Sequence, residues 1–347
     1  MATKLFTRTL TLPNGQRKYF RGKTQEIADA KYEEAKRMLN AGLDISVDLN
    51  LTELTQIWFD TVKRPHLKGN TVYTDLTNIN NHVLQPFIAG MSVRAIRPVH
   101  IQTAMNNISH LSHSVQSKVL QSYRGIFDFA VDNDLIAKSP VLSTIKARGA
   151  KAEEKVPLTP EQTKQLLVAT QDARIHIGVA LMVGAGLRRE EACGLMWEDI
   201  DLDNGVLHVR HALPFIRGQE SRVTTDLKTE SARRSIPLPL WLIEELRAEK
   251  AKTNSVYVLH KKDGQHLTLS SFTRMWEVID RKGLDFKVHP HLLRHTCITR
   301  WVESGLDMKE VQYLAGHSTP EMTMRVYAHY DRAARFEATT EHIRATM

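Results

Sequence analysis

Cysteine is nearly absent. Two occur in 347 residues, Cys193 and Cys297, which excludes a disulfide scaffold and fits a reducing cytoplasm. Long apolar runs are missing too. The most apolar stretch, Ile175 to Leu187, contains His176 and is shorter than the ~20 residues that cross a bilayer, so it reads as a buried helix and no membrane association is expected. Met1 to Leu12 lacks the apolar centre of a signal peptide. No internal repeat and no low-complexity tract occurs. What remains is a globular chain of 42% hydrophobic and 25% charged residues, ordinary in both respects and long enough for two or three domains.

The charge is unbalanced. The net charge is +8 and the isoelectric point lies near 9.4, which favours a polyanionic partner without identifying it. The excess is dense at the start: residues 1–40 hold nine Lys or Arg against four Asp or Glu. Here Leu5 to Leu12 alternates as a strand does, Asn14-Gly15 signals a hairpin, and Lys18 to Arg21 supplies the returning strand. A helix from about Thr24 to Ala41 follows, ended by Gly42. Arg, Thr and Lys alternating on a small sheet suit phosphate contact or groove insertion, although a solvated face would look the same.

Residues 49–148 read as a helical bundle. Leu51 to Trp58, Tyr73 to Val83, Val99 to Ile108 and Ser114 to Asn133 each repeat apolar residues at helical spacing, with Gly or Pro between them. Residues 149–156 bury almost nothing and read as a linker. At Thr159-Pro-Glu-Gln162 a capping Thr, a first-turn Pro and a Gln three positions on open the next domain. Beyond it come helix, short strands (Val206 to Arg210, Arg233 to Leu238) and helices again. The expected fold is therefore multi-domain and mainly α with small β-sheets: a small sheet-plus-helix module, a helical bundle, and a mixed α/β domain over residues 157–347.

Chemistry concentrates in that last domain. Arg188, in Gly184-Ala-Gly-Leu-Arg188, lies beside glycines that let backbone approach a ligand. His291-Leu-Leu-Arg294-His295-Thr296 follows Pro290, which is well placed to start a helix; His291 and Arg294, three apart, then share a face. Gly316-His317 and Tyr327-Ala-His329 complete the set. A phosphodiester under attack gathers negative charge on its non-bridging oxygens. Two arginines can clamp it, histidines can donate hydrogen bonds or move protons, and a tyrosine can be the nucleophile. A metal site is the rival, because His289, His291 and His295 are close in sequence. No Glu lies between them and no Cys or carboxylate cluster completes a ligand set, so no metal and no cofactor are expected. Cys193, near Arg188, could be reactive but reads as a small core residue.

In these motifs residues 157–331 resemble the tyrosine recombinase (phage integrase) family, in order and over 140 residues. The family's first box corresponds to Ala185-Gly-Leu-Arg188-Arg-Glu-Glu191-Ala192, with Ala185 for the usual Thr and Ala192 for the usual Leu. Its second is His291 to Thr296, its Leu-Gly-His-Ser segment is Ala315-Gly-His317-Ser318, and its terminal Tyr-x-His is Tyr327-Ala-His329. The family's hairpin lysine corresponds to Lys228, ahead of Ser231-Ala-Arg-Arg-Ser-Ile-Pro237. Tyr330 lies three residues past Tyr327, and the Tyr-x-His pattern selects Tyr327.

The resemblance implies a site-specific recombinase that cuts DNA through a 3′-phosphotyrosine without metal or ATP. Tyr327 would be the nucleophile, Arg188 and Arg294 the clamp, Lys228 the acid for the leaving 5′-oxygen, His291 an aid to proton transfer from Tyr327 and His317 a hydrogen-bond donor to the phosphate. Glu191 would be structural. Residues 1–48 resemble an arm-type DNA-binding domain and residues 49–148 a core-binding domain, as in integrases of phages and conjugative transposons. Double-stranded DNA, a homo-tetramer on it, and an excisionase or DNA-bending accessory protein are the implied partners, and the bacterial cytoplasm the implied location. The C-terminal residues 332–347 would pack on a neighbouring protomer. A chromosome-dimer resolvase, a type IB topoisomerase-like relaxer and a regulator without catalysis are the alternatives.

Overall fold

The structure, a computed structural model, describes residues 5–327 apart from 14, 44, 45, 47, 68, 151–155, 217, 218 and 227–229, together with residue 344; for residue 230 and residues 325–327 it describes backbone alone. The chain divides into two compact units, residues 1–153 and 154–347. The division falls within the segment that composition marks as a linker.

In the first unit, β1 (Phe6–Thr11) and β2 (Arg17–Gly22) pair antiparallel, Arg8 opposite Phe20 and Leu10 opposite Lys18. Helix α1 (Gln25–Asn40) follows, its first turn capped where the Thr24 hydroxyl accepts from the Ile27 amide at 3.4 Å. The side chains facing α1 include Leu10, Leu12 and Phe20, which cluster with Ala35, Met38 and Leu39. The alternation leaves Thr7, Thr9, Thr11, Arg17, Tyr19 and Arg21 on the other, exposed face.

The helices of the bundle are α2 (Leu51–Trp58), α3 (Asn70–Asn78), α4 (Pro86–Ala89), α5 (Pro98–Asn107) and α6 (His113–Asp132). Helices α2 and α3 each run on into a wider π turn, Phe59–Lys63 and Ile79–Val83. Leu51, Leu54, Trp58 and Phe59 pack with Tyr123, Ile126 and Phe127 of α6 in a core of their own. Gly125 admits the Trp58 ring, since a Cβ there would lie 2.6 Å from it. The buried Tyr123 hydroxyl donates to the Val83 carbonyl at 2.7 Å, so its polar end is satisfied.

The second unit opens on α7 (Pro160–Thr170), where the Thr159 hydroxyl and the Gln162 side chain each accept the other's amide, at 3.1 and 3.0 Å. Helix α8 (His176–Gly184) is buried from Ile177 to Val183, as an all-round apolar helix must be. Then come α9 (Arg189–Gly194) and a three-stranded antiparallel sheet in the order β3 (Ile200–Asp201), β4 (Val206–Val209), β5 (Arg234–Pro237). The last two are the expected strands; β3 is too short to show an alternation. Helices α10 (Leu240–Lys250), α11 (Leu269–Asp280), α12 (Pro290–Glu303), α13 (Met308–Ala315) and α14 (Pro320–Tyr327) complete the unit. Helix α8 packs against α12, α10 and α7, and α14 packs on α12 and α13. Among the described residues no helix is long and apolar enough to cross a membrane.

Candidate active site

One buried carboxylate organises the site. Glu191, 4% exposed, lies in the first turn of α9, and its Oε2 accepts the Arg188 amide at 2.9 Å. Its other oxygen accepts from the Arg188 guanidinium at 2.6 Å. Arg234, on β5, reaches both carboxylate oxygens, at 3.1 and 2.9 Å. The same guanidinium donates to the Leu314 carbonyl at 2.7 Å and the Ala232 carbonyl at 3.0 Å. Arg294 stands 4.0 Å from Glu191. Three cations, from the N-cap of α9, from β5 and from α12, therefore surround one anion.

Two backbone segments hold the arginines in place. Gly186 takes φ +63°, and a Cβ there would lie 2.9 Å from the Trp301 ring; its carbonyl accepts from Arg294 at 2.6 Å. The second segment follows α13. Gly316 adopts the left-handed conformation that ends this helix. The Ala315 carbonyl accepts from Arg294 and the Gly316 carbonyl from Arg188. Next comes His317, whose amide donates to Gln312 at 3.1 Å and whose Nδ1 pairs with the Thr323 hydroxyl at 2.9 Å. His317 thus adjoins both arginines.

The electrostatics follow from crowding. Burial alone would raise the Glu191 carboxyl, but the Arg234 hydrogen bonds and charge, with Arg188 and Arg294, hold it down at about 2. Burial, the adjacent Arg188 and Arg234 pull the Arg294 guanidinium down from its ordinary value against the upward pull of Glu191; it stays charged at neutral pH. His317 is lowered to about 4, first by burial and then by Arg294, Arg188, Arg234 and His291. Its ring is neutral at pH 7. A neutral donor beside net positive charge suits an anion with oxygens to be hydrogen-bonded.

The structure brings Arg188, Arg294 and His317 together. His291 lies exposed on α12, one turn before Arg294 and near enough to act on His317. The described part of α14 runs to Tyr327, whose side chain lies outside the described residues, as do Lys228, Tyr330 and all but one of residues 332–347. Arg234 was not anticipated. Its signal was phase: two residues before the buried Ile236 on one strand, it had to point inward too, and a buried arginine needs a carboxylate. Ala185 and Ala192 are fully buried, so their departure from the family box is a matter of packing. Cys193 is a core residue whose thiol burial pushes up. His289 caps α12, its Nδ1 accepting the Leu292 amide at 3.1 Å, and no three His, Cys, Asp or Glu among the described residues are grouped to hold a metal.

Comparison with known proteins gives the family and the fold. The model of the phage integrase family matches residues 157–333, half of the chain, and the phage integrase N-terminal SAM-like domain matches residues 50–109. A tyrosine recombinase XerC-like protein of Caldanaerobacter subterraneus subsp. tengcongensis is 28% identical, the match covering 90% of this chain and 88% of the relative. The Tn1549 transposon integrase, solved with transposon right end DNA, superposes with a TM-score of 0.71 at 22% identity, covering 86% of this chain and 99% of that one. A lambda integrase dimer bound to a core site gives 0.62 at 16% identity, covering 93% of each. These likenesses show the fold, mainly helical with small sheets. By the match over its second unit, the chain belongs to the phage integrase family and is a tyrosine recombinase.

Proposed function

We propose that this chain is the integrase of a mobile genetic element, acting in the bacterial cytoplasm on double-stranded DNA. The observation that carries this reading is the convergence of Arg188, Arg294 and the neutral His317 on the turn after α13, immediately before the helix that carries Tyr327. In the proposed reaction the Tyr327 phenolic oxygen bonds to the scissile phosphorus and the bond to the 5′-oxygen breaks. His291 takes the phenol proton and Lys228 gives one to the departing 5′-oxygen. Arg188, Arg294 and His317 hold the non-bridging oxygens while charge builds on them. The phosphodiester energy is kept in the 3′-phosphotyrosine. A 5′-hydroxyl of a partner strand can therefore reverse the step and release Tyr327 without ATP.

In this reading residues 1–48 bind arm-type DNA sites, the exposed face carrying Arg17, Tyr19 and Arg21 being suited to phosphate contact. Residues 49–148 bind the core site, 149–156 link, and 157–347 cut and rejoin, within a homo-tetramer. A lambda integrase tetramer has been solved on a Holliday junction, which supports that assembly. Excision would draw on an excisionase or a DNA-bending protein. The test is covalent trapping on nicked suicide duplexes made from the element's ends, in EDTA, resolved on denaturing gels. The wild type and Tyr330→Phe should give a protein–DNA band and Tyr327→Phe none. A band kept in Tyr327→Phe and lost in Tyr330→Phe would move the nucleophile; loss of the wild-type band in EDTA would end the metal-free reading.

A further inference from the structure

We infer that Thr323 is a positioning residue: its hydroxyl donates to Nδ1 of His317, fixing the ring as the tautomer that presents Nε2–H to the scissile phosphate. This rests on the recombinase reading above for what the ring meets, but not for the tautomer itself.

The direction of the hydrogen bond follows from where a threonine proton goes. On other helices of this chain the hydroxyls of Thr74, Thr77, Thr170, Thr273 and Thr296 each donate to the carbonyl four residues back. Thr323 lies on α14 and is fully buried. Among the described residues its hydroxyl makes no such bond to Thr319 and meets His317 Nδ1 at 2.9 Å instead. A buried hydroxyl whose proton has one partner donates to it. Nδ1 is then the acceptor and carries no proton, and a neutral imidazole places its single proton on Nε2. The ring stays neutral first because it is buried, and then because Arg294 on α12, Arg188 at the start of α9, Arg234 on β5 and His291 on α12 all oppose a second proton, against the one carboxylate of Glu191.

The rest of His317 is already fixed. Its amide and carbonyl pair with Gln312, at 3.1 and 3.3 Å, and Gly316 sets the turn. Rotation of the ring is the freedom left, and Thr323 removes it. Thr323 also lies four residues, one helical turn, before Tyr327. One hydrogen bond therefore ties the helix that carries the proposed nucleophile to the residue that would hold the phosphate.

Two measurements test this. In ¹⁵N-labelled full-length protein, long-range ¹H–¹⁵N spectra, assigned with His317→Asn, report which ring nitrogen is protonated. Nε2–H with a bare Nδ1 is expected; a proton on Nδ1 overturns the inference whether or not the protein cuts DNA. The second is single-turnover cleavage of a suicide duplex against DNA concentration. Thr323→Val should slow the limiting rate by about tenfold, as loss of a partner that orients a ligating histidine does, with half-saturating DNA unchanged. Thr323→Ser should restore it. Wild-type cleavage by Thr323→Val, or a Thr323→Ser as slow as the valine variant, also overturns it. The Thr323→Val spectrum serves as the control for folding. A wild type that forms no covalent adduct would count against the recombinase reading, while the spectrum would still decide the tautomer.

Discussion

Replacing Arg234 by Met should destabilise the second unit more than any surface change, and the amount can be worked out in two ways. The Arg234 side chain is fully buried, and Glu191 is 4% exposed. Removing one partner of a buried ion pair costs about 3–5 kcal/mol, because the other charge is left uncompensated. Glu191 would keep Arg188 at 2.6 Å and Arg294 at 4.0 Å, which points to the lower end. The acid side gives a second figure. Glu191 is held at about 2, against an ordinary 4.5, and at ~1.4 kcal/mol per pH unit this corresponds to about 3 kcal/mol, the net of burial against Arg234, Arg188 and Arg294 together, with Arg234 the largest of the three. A carboxyl depressed on folding contributes its full stability above its unfolded value. That contribution declines as pH falls from 4.5 through 2. Urea unfolding followed by tryptophan fluorescence reads the right unit, since Trp197, Trp241, Trp276 and Trp301 lie in it and only Trp58 outside. The expected loss for Arg234→Met is about 3 kcal/mol at pH 7, with about half of it gone near pH 3. A loss below ~1 kcal/mol, the size of an ordinary substitution, or one that does not change with pH, would refute Glu191 as the partner that matters. Arg234→Lys should fall between, keeping the charge but not the two-pronged geometry.

Other outcomes follow from the same cluster. Arg188→Ala and Arg294→Ala should each slow the cleavage step by about 10²–10³, the cost of removing one transition-state donor; single-turnover kinetics decide, and a loss under tenfold would remove that arginine from the proposed clamp. Gly316→Ala should lower the melting temperature, since a left-handed Cβ costs ~1–2 kcal/mol and would here lie 3.1 Å from both Arg234 Nη1 and the Ser231 carbonyl. An unchanged melting temperature would mean that the turn relaxes freely.

What the sequence revealed of this molecule was whatever depends on neighbours in the chain. The hairpin around Gly15, the Thr159–Gln162 cap and the buried run of α8 are local facts, and each is found where the residues point. Family motifs likewise singled out Arg188, Arg294 and His317, which the fold brings together. Glu191 was legible as structural but not as the centre, since its partners lie 43 residues away at Arg234 and 103 away at Arg294. Strand β3, two residues long, has no period to read. Thr323 carries no signal at all: a threonine on a helix ordinarily satisfies itself on its own backbone, and only the fold puts His317 within 2.9 Å.

The balance of charge gives the site its direction. Arg188, Arg234 and Arg294 bring three positive charges against the single negative charge of Glu191, and His317 and Arg294 are both pulled down, first by burial and then by these neighbouring charges. A cluster that repels its own protons is incomplete without an anion, and a phosphodiester supplies one negative charge with two oxygens free to accept. If that is the ligand, its arrival must raise the His317 pKa from about 4, because a nearby anion favours the imidazolium while Arg188, Arg234, Arg294 and His291 continue to oppose it. Titrating the His317 ring by NMR, free and with an uncut core-site duplex bound to Tyr327→Phe, measures this directly. An upward shift places negative charge at the ring. A value unchanged or lowered on binding would mean that the phosphate lies elsewhere, and the arginine cluster would then be a structural knot around Glu191 rather than the clamp of the reaction.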